Sequence, residues 1–147
     1  MSAKIKISIR EIAAEDAAEI VLLSYQLGYV ISEKQTLQNI KALTQDKHHL
    51  VFVAVDEKKV IGWMGMSYSI SLTSLPLYEI HGLVVDEQCR AKGIGRMMIE
   101  KAKQWCKSKG ATTIRLRCNI KRAGAILFYH NVGFTEVKQQ KVFEMQV

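Results

Sequence analysis

Between an apolar run and an amphipathic stretch the chain reads VVDEQCRAKGIGRMMIEKAKQW, residues 84 to 105. Arg90, Lys92 and Arg96 surround Gly93 and Gly95. Glycines let main chain approach a ligand and take conformations barred to residues with a Cβ. The N–H groups of a helix start converge on the same spot, where the macrodipole favours an anion. These residues would suit a pyrophosphate held without a metal, although the same pattern also fits a plain strand-to-helix turn. Two phosphate cradles are excluded. A Walker loop needs Lys-Ser/Thr after its last glycine, and Gly95 is followed by Arg96-Met97. A dinucleotide fingerprint needs a third glycine where Met98 stands.

Other residues could do chemistry with less support. His48 and His49 are adjacent at a strand start, where neighbours face opposite ways, so a shared metal is not expected. Cys89 precedes the basic loop, where a thiolate would be stabilised, but no base is paired with it. Tyr25 and Tyr29 straddle a turn and would either line a pocket or cap the core.

The elements that must position the loop follow from periodicity. Residues 4–10 alternate as a strand, and Ala17, Ile20, Val21, Ser24 and Leu27 recur at helical spacing until Gly28. Ser32-Glu33-Lys34-Gln35 matches a capping box that opens a second helix through Leu43. Strands are expected at 50–55, 60–70 and 77–85, the first two joined by a polar turn at Asp56-Glu57-Lys58-Lys59. Gly62 and Gly65 point to close packing or a bulge. After the loop, Ile94, Met98, Ala102 and Trp105 form a helical stripe that ends at Gly110. TIRLRC alternates, a short helix covers 123–131, and GFTEVKQQKVFEMQV closes the chain as one or two strands. The order β-α-α-β-β-β-α-β-α-β implies an α/β fold with a partly parallel sheet.

Composition sets outer bounds. At 147 residues the chain fits a single domain, 1–147, able to bury its own core. No apolar run approaches the ~18 residues of a membrane span, and the N-terminus does not read as a signal peptide. Cys89, Cys106 and Cys118 form no Cys-x-x-Cys pair, and an odd count without a secretion signal fits a reducing, cytoplasmic setting. The net charge of +7 fits a polyanionic cofactor or a solvated basic face. The bases are spread along the chain without interleaved aromatics, which speaks against nucleic acid as a partner.

Arg90-x-x-Gly93-x-Gly95 resembles the acetyl-CoA signature of the GCN5-related N-acetyltransferase (GNAT) superfamily, Gln/Arg-x-x-Gly-x-Gly/Ala. NIKRAGAILFYHNVGF, residues 119–134, is similar to the family's C-terminal motif, with Arg122, Ala125, Phe128, Tyr129 and Gly133-Phe134 at matching positions. Ala91 stands where many relatives have glycine, and Arg122 where many have asparagine, with Asn119 three residues earlier. The resemblance implies a mixed central sheet of six to seven strands flanked by about four helices. It further implies an N-acetyltransferase that moves an acetyl group from acetyl-CoA, as cosubstrate and without a metal, to a primary amine by direct attack in a ternary complex.

The resemblance also implies residue roles. Acyl transfer must deprotonate the amine, supply donors to the developing oxyanion, and protonate the departing thiolate. Tyr129 matches the family's acid; a phenol near pKa ~10 and a thiol near ~8.5 are close enough for transfer. Leu83, Val84 and Val85 match the strand whose main chain pairs with pantetheine, and an amide of Leu83 or Val84 would polarise the thioester carbonyl. Arg90, Ala91, Lys92, Gly93, Ile94, Gly95 and Arg96, with Asn119, Arg122 and Tyr129, would hold the cofactor. Glu79 matches the general base of some relatives. His81 could serve instead, since histidine as a residue type changes charge near neutrality, and so could solvent. The acceptor is an amine of a small molecule or a protein. A non-catalytic acyl-CoA-binding sensor or subunit is the alternative, and the closing KVFEMQV would serve either as an internal edge or in a homodimer.

Overall fold

The computed structural model describes residues 6–147, so Lys4 and Ile5 of the expected first strand lie outside the described residues. The chain forms two compact units, one ending at Arg117 and one covering Cys118–Val147.

The first unit is a five-stranded sheet in the order β1-β2-β3-β4-β5. β1 (Ile7–Glu11), β2 (His49–Asp56), β3 (Lys59–Ser71) and β4 (Ser74–Val85) form an antiparallel meander, and β5 (Ile114–Leu116) joins β4 in parallel. The parallel pair follows from the crossover through α3 (Ile94–Ser108), since a hairpin cannot return a strand in the same direction.

α1 (Ala17–Tyr25) and α2 (Glu33–Gln45) cover one face of the sheet. Ile20, Leu23 and Ile40 pack there with Val51, Val53, Val55, Val60 and Val84. Ser32 caps α2 by accepting from Gln35 N–H at 3.0 Å, which satisfies one of the donors the helix start leaves open. The buried stripe of α3 is Ile94, Met98, Ile99, Ala102 and Cys106, and Trp105 sits at its half-buried margin. Trp105 packs edge-on against Tyr78, with ring centroids 4.8 Å apart.

The second unit holds α4 (Ala123–Asn131), at the bounds the sequence predicts. Its closing stretch differs from expectation. Residues 134–147 carry no regular secondary structure, and Val137, Val142, Phe143 and Met145 are exposed. The sheet therefore has five strands among the described residues, where six to seven were expected. Alternation supplies strand propensity, but a strand exists only where its N–H and C=O groups find a neighbouring ladder. No described helix is long and apolar enough to cross a membrane.

Candidate active site

Two features of β4 shape the site. β5 pairs only with Tyr78, Glu79 and Ile80. From His81 to Val85 the β5-facing edge of β4 thus has no strand partner among the described residues. Unpaired main-chain groups of this kind can hydrogen-bond an extended ligand as another strand would. Leu83 and Val85 are half-buried and Val84 is fully buried, so their side chains serve packing while the main chain stays available at the edge.

The second feature is a bulge. Gly65 lies opposite Gly82, but Met66 lies opposite Ile80, so His81 is an extra residue in β4. Gly82 is required by packing, because a Cβ there would stand 2.5 Å from Cη2 of Trp63. A Cβ at Gly62 would likewise crowd main chain, 2.9 Å from the Val84 carbonyl oxygen.

Beyond β4 the chain makes a short 3-10 turn, Glu87–Cys89, and reaches α3 through residues 90–93. Ala91 and Gly93 both have left-handed backbone, φ 66° and 80°. Gly93 is the N-cap of α3, and a Cβ there would meet nothing within 4 Å. No side chain caps this helix start, and its first turn holds no acid. Arg90 and Lys92 are exposed beside it, and Arg90 Nε donates to the Val85 carbonyl at 3.4 Å. Arg96 lies in the first turn and Ile94 is buried beneath it. Open amides, a positive helix end and basic side chains on a bare cradle fit a pyrophosphate.

Glu79 and His81 both reach the surroundings of Ser67. Glu79 is buried opposite Ser67 in the register, and its Oε1 lies 2.6 Å from Nη1 of Arg117. His81 is exposed, with Nε2 hydrogen-bonded to Ser67 Oγ. The ring of His49 lies 6.2 Å from that of His81, while His48 stacks on Tyr68. The two adjacent histidines thus diverge as a strand start demands. The exposed carboxyl of Asp46 is held below the usual carboxylate range, chiefly because it accepts from the His48 N–H. Tyr25 and Tyr29 are exposed, and Cys89 is half-buried.

In the second unit, Tyr129 sits on α4 between the rings of Phe128 and Phe134, at centroid distances of 5.4 and 5.8 Å. Its carbonyl accepts from Phe134 N–H at 2.9 Å, which anchors the turn at Gly133, φ 108°. Asn119 uses its side-chain oxygen locally, accepting from Lys121 N–H at 2.9 Å. Its carbonyl accepts from Arg122 N–H at 3.0 Å, so both residues build the turn that starts α4.

Sequence reasoning missed Ser67, Arg117 as the partner of Glu79, and the pair Gln26 and Asp86. Gln26 follows α1 and bonds both the Glu87 N–H and the Asp86 carboxylate, tying α1 to the chain that leads into the loop. A serine in an apolar alternating strand was the only trace of the first; the others leave no local signal.

The profile of the acetyltransferase (GNAT) family matches residues 14–134. An uncharacterized N-acetyltransferase, YhdJ of Bacillus subtilis, is 25% identical over 122 residues, covering 82% of this chain and 86% of YhdJ. An uncharacterized N-acetyltransferase of Methanocaldococcus jannaschii, MJ1207, is 40% identical over 58 residues, which is 40% of this chain but only 26% of that protein. Among solved structures, the aminoglycoside N-acetyltransferase AAC(6')-Iy in complex with CoA superposes with a TM-score of 0.87 at 17% identity, covering 100% of this chain and 99% of that one. At that identity the likeness speaks to fold alone. The family profile runs across both units and takes in the loop, β4 and α4, and by that match the chain belongs to the GNAT family of acetyltransferases.

Proposed function

We propose that this chain, acting as one domain, is an N-acetyltransferase that uses acetyl-CoA and a primary amine in a ternary complex. The observation that carries the reading is a continuity. The partnerless edge of β4 at His81–Val85 runs within ten residues into an uncapped helix start with left-handed Ala91 and Gly93. An extended arm and a diphosphate at its end suit such a path. Membership of the acetyltransferase family supports the choice of ligand.

In this reading the amides and bases of residues 90–96 hold the diphosphate, and the main chain of Leu83, Val84 and Val85 aligns the arm. One amide of Leu83 or Val84 donates to the carbonyl that gains charge. Asn119 and Arg122 contribute to cofactor binding. Tyr129 gives its proton to the departing sulfur, and Glu79, His81 or solvent receives the proton of the amine. No metal takes part in the scheme. A second copy of the chain pairs with the exposed closing segment, and the protein works in a reducing compartment such as the cytoplasm.

Calorimetry with acetyl-CoA, followed by thiol release with a panel of amines, tests the reading. Binding in the micromolar range and amine-dependent release are expected. Absence of binding at millimolar acetyl-CoA would overturn it, and binding without any turnover would leave only an acyl-CoA sensor. Tyr129→Phe should lower kcat about 10²-fold with little change in affinity. Light scattering, with and without residues 138–147, tests the dimer.

A further inference from the structure

One level of the sheet is polar across four strands. His49 of β2 lies opposite Ser67 of β3, Ser67 opposite Glu79 of β4, and Glu79 opposite Arg115 of β5. Glu79 is buried and Arg115 half-buried. Side chains two apart on a strand share a face. Arg117, one residue past the end of β5, therefore follows Arg115 onto the side of Glu79. The ion pair of Arg117 Nη1 with Glu79 Oε1, at 2.6 Å, agrees with that placement.

The two guanidinium groups are incompletely served. Arg117 meets the buried carboxylate on one side, while 60% of its side chain is exposed. Glu79 Oε1 has no hydrogen bond, so the contact balances charge and leaves the N–H fork of Arg117 unused. Among the described residues no carboxylate pairs with Arg115. Glu79 is the one acid of β4, and β5 has none. At the far end of the row, Asp46 is taken by His49 Nδ1, at 3.1 Å, and by the His48 N–H. One carboxylate thus faces two guanidinium groups. A half-buried cation without a counter-ion costs free energy that an arriving anion would relieve.

We propose that Arg115 and Arg117 form a subsite for a carboxylate of the acceptor, so that the acceptor is an amine that also carries an acid group. An amino acid is the smallest such molecule. This rests on the acetyltransferase reading of the site. Leu116 is the last residue of β5 to pair with β4, opposite Ile80. Arg117 therefore stands at the fork where the open edge of β4, His81–Val85, begins. In that reading the diphosphate sits at residues 90–96, and an amide of Leu83 or Val84 meets the thioester carbonyl. The fork is then at the acetyl end of the arm. An acceptor anchored there by its acid group presents its amine to the thioester.

The chemistry favours an acid over a further cation. A guanidinium offers a carboxylate two parallel N–H···O bonds, a geometry that a lone ammonium does not supply. Glu79 orients Arg117 for this by holding one of its nitrogens from the buried side. The nearby rings of His49 and His81, 6.2 Å apart, bring no negative charge. A polyamine or an aminoglycoside would add positive charge to a row already in surplus, on a chain whose net charge is +7. A carboxylate would balance it.

Initial rates with acetyl-CoA and the standard amino acids, each set beside its own carboxamide, test this, with spermidine as the cationic control. The best amino acid should exceed its carboxamide about 10- to 10²-fold in kcat/KM, mainly through KM, as hydrogen bonds to a charged group imply. Arg115→Gln and Arg117→Gln should each lower that ratio about tenfold. A merely structural role would depress both acceptors alike and leave the ratio where it was. Where a variant fails to fold, the ratio in the wild type still decides. Nitrogen-15 NMR of the arginine Nε–H groups reads the subsite without turnover. The signals of Arg115 and Arg117 should move on adding N-acetylglycine and stay in place with N-acetylglycinamide. A ratio near one, a preference for carboxamides or spermidine, or arginine signals that ignore the carboxylate overturns the proposal. A failure to bind acetyl-CoA in calorimetry would instead sink the acetyltransferase reading, while the arginine signals still decide the anion subsite.

Discussion

Gln26 and Glu87 are joined across 61 positions of sequence: the side-chain oxygen of Gln26 accepts from the Glu87 N–H at 2.9 Å. The same amide reaches Asp86 at 3.5 Å, and Asp86 in turn accepts from Gln88 N–H at 3.0 Å. A residue just beyond α1 thereby fixes the first turn after β4, from which the glycine loop departs. Gln26→Ala should cost about 1 kcal/mol of stability, the worth of one or two such bonds. It should also weaken acetyl-CoA binding severalfold. Urea denaturation and calorimetry check the two effects, and equal affinity in the variant would disconnect α1 from the loop.

Trp63 occupies the space a side chain at residue 82 would need. Gly82→Ala should destabilise the fold by about 1–3 kcal/mol, as overpacking does in a rigid core. Trp63→Leu in the same chain should recover part of that loss, since the clashing ring atoms are gone. Thermal melts of the single and double variants decide it, and a neutral Gly82→Ala would mean that the ring moves freely.

Ala91 holds φ at 66°, where a Cβ is strained by about 1 kcal/mol. Ala91→Gly should therefore raise stability by up to about 1 kcal/mol, part of it offset by the greater freedom of glycine in the unfolded chain. Gly93→Ala, at φ 80°, should do the reverse. Denaturant midpoints of both variants provide the check.

The Asp16 carboxylate is buried near the end of β1 and accepts from both terminal nitrogens of Arg10, at 2.8 and 2.9 Å, and from Ala13 N–H. The Arg10 hydrogen bonds hold its pKa below the usual carboxylate range, against the opposing pull of burial. A group whose folded pKa is depressed gives stability that is present above its unfolded value and lost as pH falls through the folded one. The wild type should thus lose stability steadily below about pH 4. Asp16→Asn, weaker at pH 7, should show a flatter slope there. Denaturation series at pH 7, 4 and 3 measure both slopes, and parallel slopes would refute the assignment.

Cys106 is 3% exposed, and burial pushes its thiol up to about 11. Thiolate is the reactive form. At pH 8, iodoacetamide should modify the half-buried Cys89 and Cys118 first and leave Cys106 untouched until the protein unfolds. Peptide mass spectrometry reads the order.

The sequence by itself determined the local elements and the loop. Ser32 before Gln35, the stripe through Met98 and Ala102, and glycines between Arg90 and Arg96 act over a few residues, so they are readable along the chain. It also pointed to Glu79 and His81 as candidate bases. Only the tertiary structure decided how these meet. Register across four strands aligned His49, Ser67, Glu79 and Arg115, and one extra residue in β4 turned His81 onto Ser67. It likewise brought Arg117 to Glu79 and Gln26 to Glu87, and it left the alternating residues of the closing segment outside the sheet. The physical reason is range. Caps, turns and helical stripes are settled by neighbours in sequence, whereas pairing register and buried polar partners depend on residues that only folding brings together.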